Sequence, residues 1–156
     1  MMDMEKALIV NSLRQMDHLA ELIAMHLQKG DVVGLEGDLG SGKTTFTKFL
    51  AKHLGISETV NSPTFTILKI YQGKLPMYHI DVYRLEDVGY DYELEEFIYD
   101  DGISVIEWYP FIKKLMPEAY LYLKIEVVNE TTRKVTLGGK GSYAKIVETI
   151  GNRYGN

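Results

Sequence analysis

GDLGSGKTTF, Gly37 to Phe46, matches G-x-x-x-x-G-K-T, with Gly37, Gly42, Lys43 and Thr44 at the fixed places. Each residue type has a physical reason. Glycines at Gly37, Gly40 and Gly42 let the backbone turn its N–H groups inward around anionic oxygens, in conformations that a Cβ disfavours. Lys43 supplies a point charge for the β and γ phosphates of a nucleotide, and the Thr44 hydroxyl suits a Mg²⁺ shell. A helix starting here also directs its positive dipole end at the phosphates. The expected ligand is a nucleotide with Mg²⁺, and the expected contacts run through Gly37, Asp38, Leu39, Gly40, Ser41, Gly42, Lys43, Thr44 and Thr45.

The flanking sequence gives this loop its place. DVVGLEG, Asp31 to Gly37, is an apolar run ending in glycine and reads as a strand leading into the loop. Beyond Lys43, Phe46, Phe49, Leu50 and Leu54 share one helix face, and Gly55 sits where a C-terminal stop belongs. Upstream, EKALIVNS begins as a short strand, and Ser12 to Gln15 has the S-x-x-Q spacing of a capping box. Leu19, Ile23 and Leu27 continue a helix that the KGD at Lys29 to Asp31 closes.

Downstream, a polar loop around Ser62-Pro63 precedes two expected strands, Thr66 to Tyr71 and Met77 to Tyr83, joined through QGKLP as a hairpin. The acidic stretch Glu86 to Asp101 reads as helical turns, and GISVIEW as an apolar strand ending at Glu107. YLYLKIEVV alternates Leu121, Leu123, Ile125 and Val127 on one face, with RKVTLGG pairing back against it. Tyr143, Ile146, Val147 and Ile150 fit a final amphipathic helix. The expectation is an α/β fold: a single P-loop domain over residues 1–156, with a mixed central sheet flanked by helices.

Composition narrows the function classes. The chain has 156 residues, 46% apolar and 25% charged, as in an ordinary globular protein. Its net charge of −5 and pI near 5.4, with no Lys and Arg cluster, speak against direct, tight nucleic-acid binding. With no cysteine, disulfides, zinc-thiolate sites and Cys nucleophiles are excluded. No apolar run reaches membrane-spanning length and MMDMEKALIV lacks a signal-type core, so a cytoplasmic protein is expected.

A phosphate loop needs a partner acid at the end of a neighbouring strand to hold Mg²⁺ or orient the attacking water. Asp81, ending MYHID, and Glu107, ending ISVIE, both fit. Glu107 with Thr44 on the metal, and Asp81 orienting the water or supporting the metal's ligands from behind, is the preferred assignment, though the sequence permits the exchange. With Lys43 they form the candidate catalytic set. Ser62, Thr64 and Thr66 lie where a γ-phosphate-sensing hydroxyl belongs, and turn chemistry around Pro63 explains them equally well. His79 shares the strand face of Asp81, as a packed or a catalytic imidazole. Arg84 suits a phosphate, a partner or a salt bridge, and Trp108 suits core packing or a cover over a ligand.

No N-K-x-D occurs and no D-x-x-G follows the loop, which disfavours an ordinary GTPase. Small-molecule kinases usually carry an arginine-bearing lid, whereas the arginines here are scattered: Arg14, Arg84, Arg133 and Arg153. A small ATPase serving a partner remains, with a small-molecule kinase and a nucleotide-dependent binding module as alternatives.

GDLGSGKTTFTK, SPTF, HIDVYRL and VIEW, in this order and spacing, resemble the TsaE (YjeE) family of bacterial tRNA threonylcarbamoyladenosine (t6A) synthesis. The likeness runs from the capping-box helix to VIEW. It implies a P-loop α/β fold, weak ATP hydrolysis, and an essential role in placing threonylcarbamoyl on N6 of A37 in tRNAs reading ANN codons. It also implies action with TsaB and the transferase TsaD, resetting that complex, with tRNA met only indirectly. By motif, Lys43 and Thr44 are the phosphate and Mg²⁺ residues, and Ser62, Pro63 and Thr64 resemble a switch-like loop. Asp81, Tyr83 and Arg84 match H-x-D-x-Y-R, and Glu107 and Trp108 match the E-W pair. Ser41 stands where the family commonly has Ala, and Met16 where a Thr is expected in the first helix. No motif carries over after Trp108.

Overall fold

The computed structural model describes residues 3–38, 40–60, 68–82, 98 and 101–154. Leu39, the loop containing Ser62, Pro63, Thr64 and Thr66, the pair Tyr83 and Arg84, and most of the acidic stretch lie outside the described residues. Within that stretch Ile98 is buried.

β1 (Met4–Val10) leads to α1 (Leu13–Ala24), and β2 (Val32–Glu36) to α2 (Lys43–His53). β3 (Leu68–Tyr71), β4 (Met77–Asp81) and β5 (Ile103–Glu107) follow, then a 3₁₀ segment at Tyr109–Leu115. β6 (Leu121–Val127), β7 (Arg133–Gly139) and α3 (Ala144–Tyr154) complete the order. The seven strands form one mixed sheet in the order β1-β7-β6-β2-β5-β4-β3. β6, β2, β5 and β4 run parallel, and β3, β7 and β1 are antiparallel to their neighbours. The parallel centre is what the two apolar runs require. VVGLE and ISVIE are buried along nearly their whole length, as strands covered on both faces must be.

Among the described residues, three helices cover one face. Leu19 and Ile23 of α1, Phe46 and Leu50 of α2, and Val147 and Ile150 of α3 pack on Val33, Leu35, Val105, Leu123 and Val135. The other face carries a smaller core in which Tyr109, Ile112 and Tyr120 meet Val32, Ile80 and Ile106. Among the described residues no helix is long and apolar enough to cross a membrane.

Local signals set the helix ends. Ser12 caps α1, its Oγ accepting from the Gln15 N–H at 3.1 Å. Gln15 Oε1 accepts in return from the Asn11 N–H, one residue before the usual capping-box donor. Ser12→Ala is therefore expected to lower stability by about 1 kcal/mol, read as a shifted urea midpoint at constant slope. α1 ends at Ala24, short of Leu27, which instead packs on the core from the following turn. α2 stops as its sequence implies: Gly55 takes φ +83°, its N–H bonds the Lys52 carbonyl, and the Ile56 N–H bonds that of Ala51. Asp17 of α1 ties the two helices, accepting from Lys52 Nζ at 2.9 Å and pairing with His53 Nε2 at 2.7 Å. The Lys52 hydrogen bond, ahead of that from His53, holds the Asp17 carboxyl below the usual carboxylate range.

β3 and β4 form the expected antiparallel hairpin, with Tyr71 opposite Met77. β4 ends at Asp81, earlier than the expected Tyr83. β7 pairs back on β6 and then holds β1 on its other side, so the N-terminal strand lies at a sheet edge, away from β2.

Candidate active site

Parallel pairing decides where the acids go. Asp81 is opposite Glu107, and Glu107 opposite Leu35, so β4, β5 and β2 end together and bring both carboxylates to the edge from which the Gly37–Thr44 loop departs. Ligands of open α/β sheets bind at this carboxyl edge. Asp81 and Glu107 face the α2 side, because Leu35, in register with them, packs there.

The loop has the backbone its glycines allow. Gly42, the residue before α2, has φ +113° and Gly40 has φ +78°, conformations that L side chains rarely adopt. A Cβ at either would meet nothing within 4 Å, so the requirement is conformational and leaves the cradle open. From Lys43 onward the chain is helical, and the Phe46 N–H already bonds the Gly42 carbonyl. The first free N–H groups of α2 thus border the cradle.

Lys43 is nearly buried, at 5% exposure. Its Nζ donates to the carbonyls of Gly37 and, at 3.0 Å, Asp38, and lies 4.5 Å from the Trp108 ring centroid. Burial pushes the Lys43 pKa below its ordinary value, and Glu107, Asp81 and Asp38 pull it partly back. Trp108 has φ 63° and ψ 34°, a left-handed conformation costly for a bulky residue and of the kind that concentrates at functional sites.

A cleft of about 230 Å³ brings together Gly42, Lys43, Thr44, Asp81, Glu107 and Trp108, with Gly40 and Thr45 at its border. Glu107 is buried at 3% exposure, whereas Asp81 is only partly buried. Glu107 Oε2 pairs with His79 Nε2 at 2.6 Å. All the oxygen donors are hard, and Mg²⁺ takes one or two carboxylates, water and phosphate oxygens in preference to an all-protein cage. Thr44, Asp81 and Glu107, which line the cleft, are oxygen donors of that kind.

A second cleft of about 640 Å³ opens along Gly40, Ser41, Gly42 and Thr45, with Val10, Leu13 and Met16 forming apolar wall. Its far side includes Arg133 of β7, whose Nε donates to the Ser41 carbonyl at 2.9 Å and braces the loop. Ser41 is itself buried, with no hydrogen-bond partner for Oγ among the described residues.

The structure thus brings Gly40, Gly42, Lys43, Thr44, Thr45, Asp81 and Glu107 around one cleft, with Gly37 and Asp38 at the Lys43 amine. Leu39, Ser62 and Thr64 lie outside the described residues. Sequence reasoning missed Arg133, which follows Trp108 where no motif was legible, and assigned no partner to His79.

Comparison with known proteins gives the family. The family model "Threonylcarbamoyl adenosine biosynthesis protein TsaE" matches residues 10–135, which span the loop and both acids. The tRNA threonylcarbamoyladenosine biosynthesis protein TsaE of Bacillus subtilis is 44% identical over 137 residues, covering 87% of this chain and 80% of that protein. The protein of the same name from Aquifex aeolicus is 40% identical over 139 residues, covering 87% of this chain and 98% of its own length. The crystal structure of Bacillus subtilis YdiB superposes with a TM-score of 0.83 at 33% identity, covering 100% of this chain and 99% of that one. With the family model matched from the end of β1 into β7, and relatives this similar over most of their length, the chain belongs to the TsaE family.

Proposed function

We propose that this chain is the ATP-hydrolysing member of the machinery that makes t6A at A37 of ANN-decoding tRNAs, working in the cytoplasm with TsaB and TsaD. The observation that carries the reading is the cleft in which a strand-to-helix glycine loop and its buried lysine meet two strand-end carboxylates. TsaE relatives named for tRNA threonylcarbamoyladenosine biosynthesis support the pathway. The net charge of −5 supports contact with tRNA through partners.

In this reading the loop amides and Lys43 bind the β and γ phosphates, and the apolar cleft beside Met16 and Leu13 takes the nucleoside end. Thr44 and Glu107 would hold Mg²⁺, which would supply charge neutralisation on the phosphate oxygens when bound. Asp81, more open to solvent, orients the water that attacks the γ phosphorus as the bond to the β–γ bridging oxygen breaks, giving ADP and phosphate.

Lys43 spends two of its three donors on the Gly37 and Asp38 carbonyls, and turning the ammonium toward phosphate moves its charge relative to Trp108, the sole tryptophan. ATP should therefore change tryptophan emission saturably in wild type and not in Lys43→Ala. Because burial lowers the Lys43 pKa, the response should fade with rising pH earlier than an ordinary lysine would require: the attracting charge is lost as pH climbs through the lowered value. Emission unchanged at an ATP concentration shown by calorimetry to saturate the protein would contradict this arrangement.

A further inference from the structure

His79 is a buried imidazole to which the hydrolysis chemistry above gives no task. It sits in the middle of β4, fully buried, opposite Val105. Glu107 is two residues beyond Val105 on β5, so His79 and Glu107 are diagonal neighbours on one sheet face. Their side chains are 0% and 4% exposed, and Nε2 lies 2.6 Å from Oε2. His79 Nε2 and Glu107 Oε2 share this one hydrogen bond, and among the described residues Nδ1 has no partner. Among the described residues, Glu107 is therefore the hydrogen-bond partner at which the imidazole is aimed.

We propose that His79 is a positioning residue for Glu107. By holding Oε2 from below, the imidazole fixes the carboxylate plane and leaves Oε1 for the cleft lined by Lys43, Thr44 and Asp81. A carboxylate at a strand end otherwise rotates freely about its terminal torsion, and a misplaced oxygen cannot serve a metal that demands near-ideal geometry. Partners that orient a ligating carboxylate typically matter by 10–100-fold in metal affinity or activity. The inference rests on the role proposed above for Glu107.

The test compares His79→Leu, His79→Gln, His79→Asn and Glu107→Gln in the full chain, by steady-state ATP hydrolysis with Mg²⁺ titrated at saturating ATP and by calorimetric Mg²⁺ binding to the ADP-loaded chain, whose affinity should fall in the same variants as the rate. The Gln amide nitrogen reaches the place of Nε2, and the Asn amide falls short. His79→Leu and His79→Asn should lower the maximal rate roughly 10–100-fold and raise the Mg²⁺ concentration giving half-maximal rate. His79→Gln should stay within about threefold of wild type on both measures, and the KM for ATP should hold within about twofold throughout.

If His79→Leu does not fold, the Gln and Asn pair decides: equal rates and equal Mg²⁺ requirements in those two overturn the proposal. So does a folded His79→Leu that matches wild type while Glu107→Gln is inactive, and that result leaves the reading of Glu107 intact. A fully active Glu107→Gln overturns both.

Discussion

Glu107→Gln should lower the rate of ATP hydrolysis about 10²- to 10³-fold while changing ATP affinity less than about threefold. The substitution keeps the shape of the side chain, and its amide oxygen can still accept from His79 Nε2, so the buried pair and the β4–β5 register survive. The charge of a carboxylate that is itself buried is removed, and a charge there counts for more than in water. Asp81→Asn gives the natural comparison, because Asp81 stands opposite Glu107 but is more exposed. If Glu107 serves the metal, its variant should need more Mg²⁺ for half-maximal rate, and the Asp81 variant should lose rate at an unchanged Mg²⁺ requirement. The reverse pattern would exchange the two roles. Wild-type turnover in both variants would remove the acids from the chemistry.

Lys43→Ala should weaken ATP binding by roughly 2–4 kcal/mol, about 30- to 1000-fold, measured by calorimetry. The lysine is the cation of the cleft, held by two loop carbonyls and an aromatic face, with three carboxylates acting on it. Alanine leaves those carboxylates without their counter-charge beside an incoming polyphosphate. The fold should tolerate the change: α2 is anchored by Phe46, Leu50 and Ala51, and alanine is a good helix former. Lys43→Arg should rescue poorly, since a planar fork replaces a compact ammonium in a tight cradle. Affinity retained in Lys43→Ala would show that the loop does not bind phosphate through this side chain.

The loop and the elements beside it were legible because their signals are local. A glycine pattern between an apolar run and a 3.6-residue period specifies strand, turn and helix within some twenty residues. The loop geometry, the α2 face and the Gly55 stop all match that reading. Asp81 and Glu107 were legible as strand-end acids, and parallel pairing then placed them opposite one another.

The remainder depends on contacts remote in sequence. Arg133 reaches the Ser41 carbonyl across 92 positions, and nothing in RKVTLGG beyond its alternation announces that reach. His79 and Glu107 are 28 positions apart, and their pairing follows from the β4–β5 register, which neither strand encodes by itself. The edge position of β1 is of the same kind, since its alternation would suit either side of the sheet equally.

Whether nucleotide held at Lys43 serves tRNA modification is decided by the t6A content of total tRNA, measured by mass spectrometry in a bacterial strain whose own copy of this gene is depleted. Depletion should lower t6A, expression of the wild-type chain should restore it, and Lys43→Ala expressed at the same level should not. Full restoration by Lys43→Ala would contradict the account.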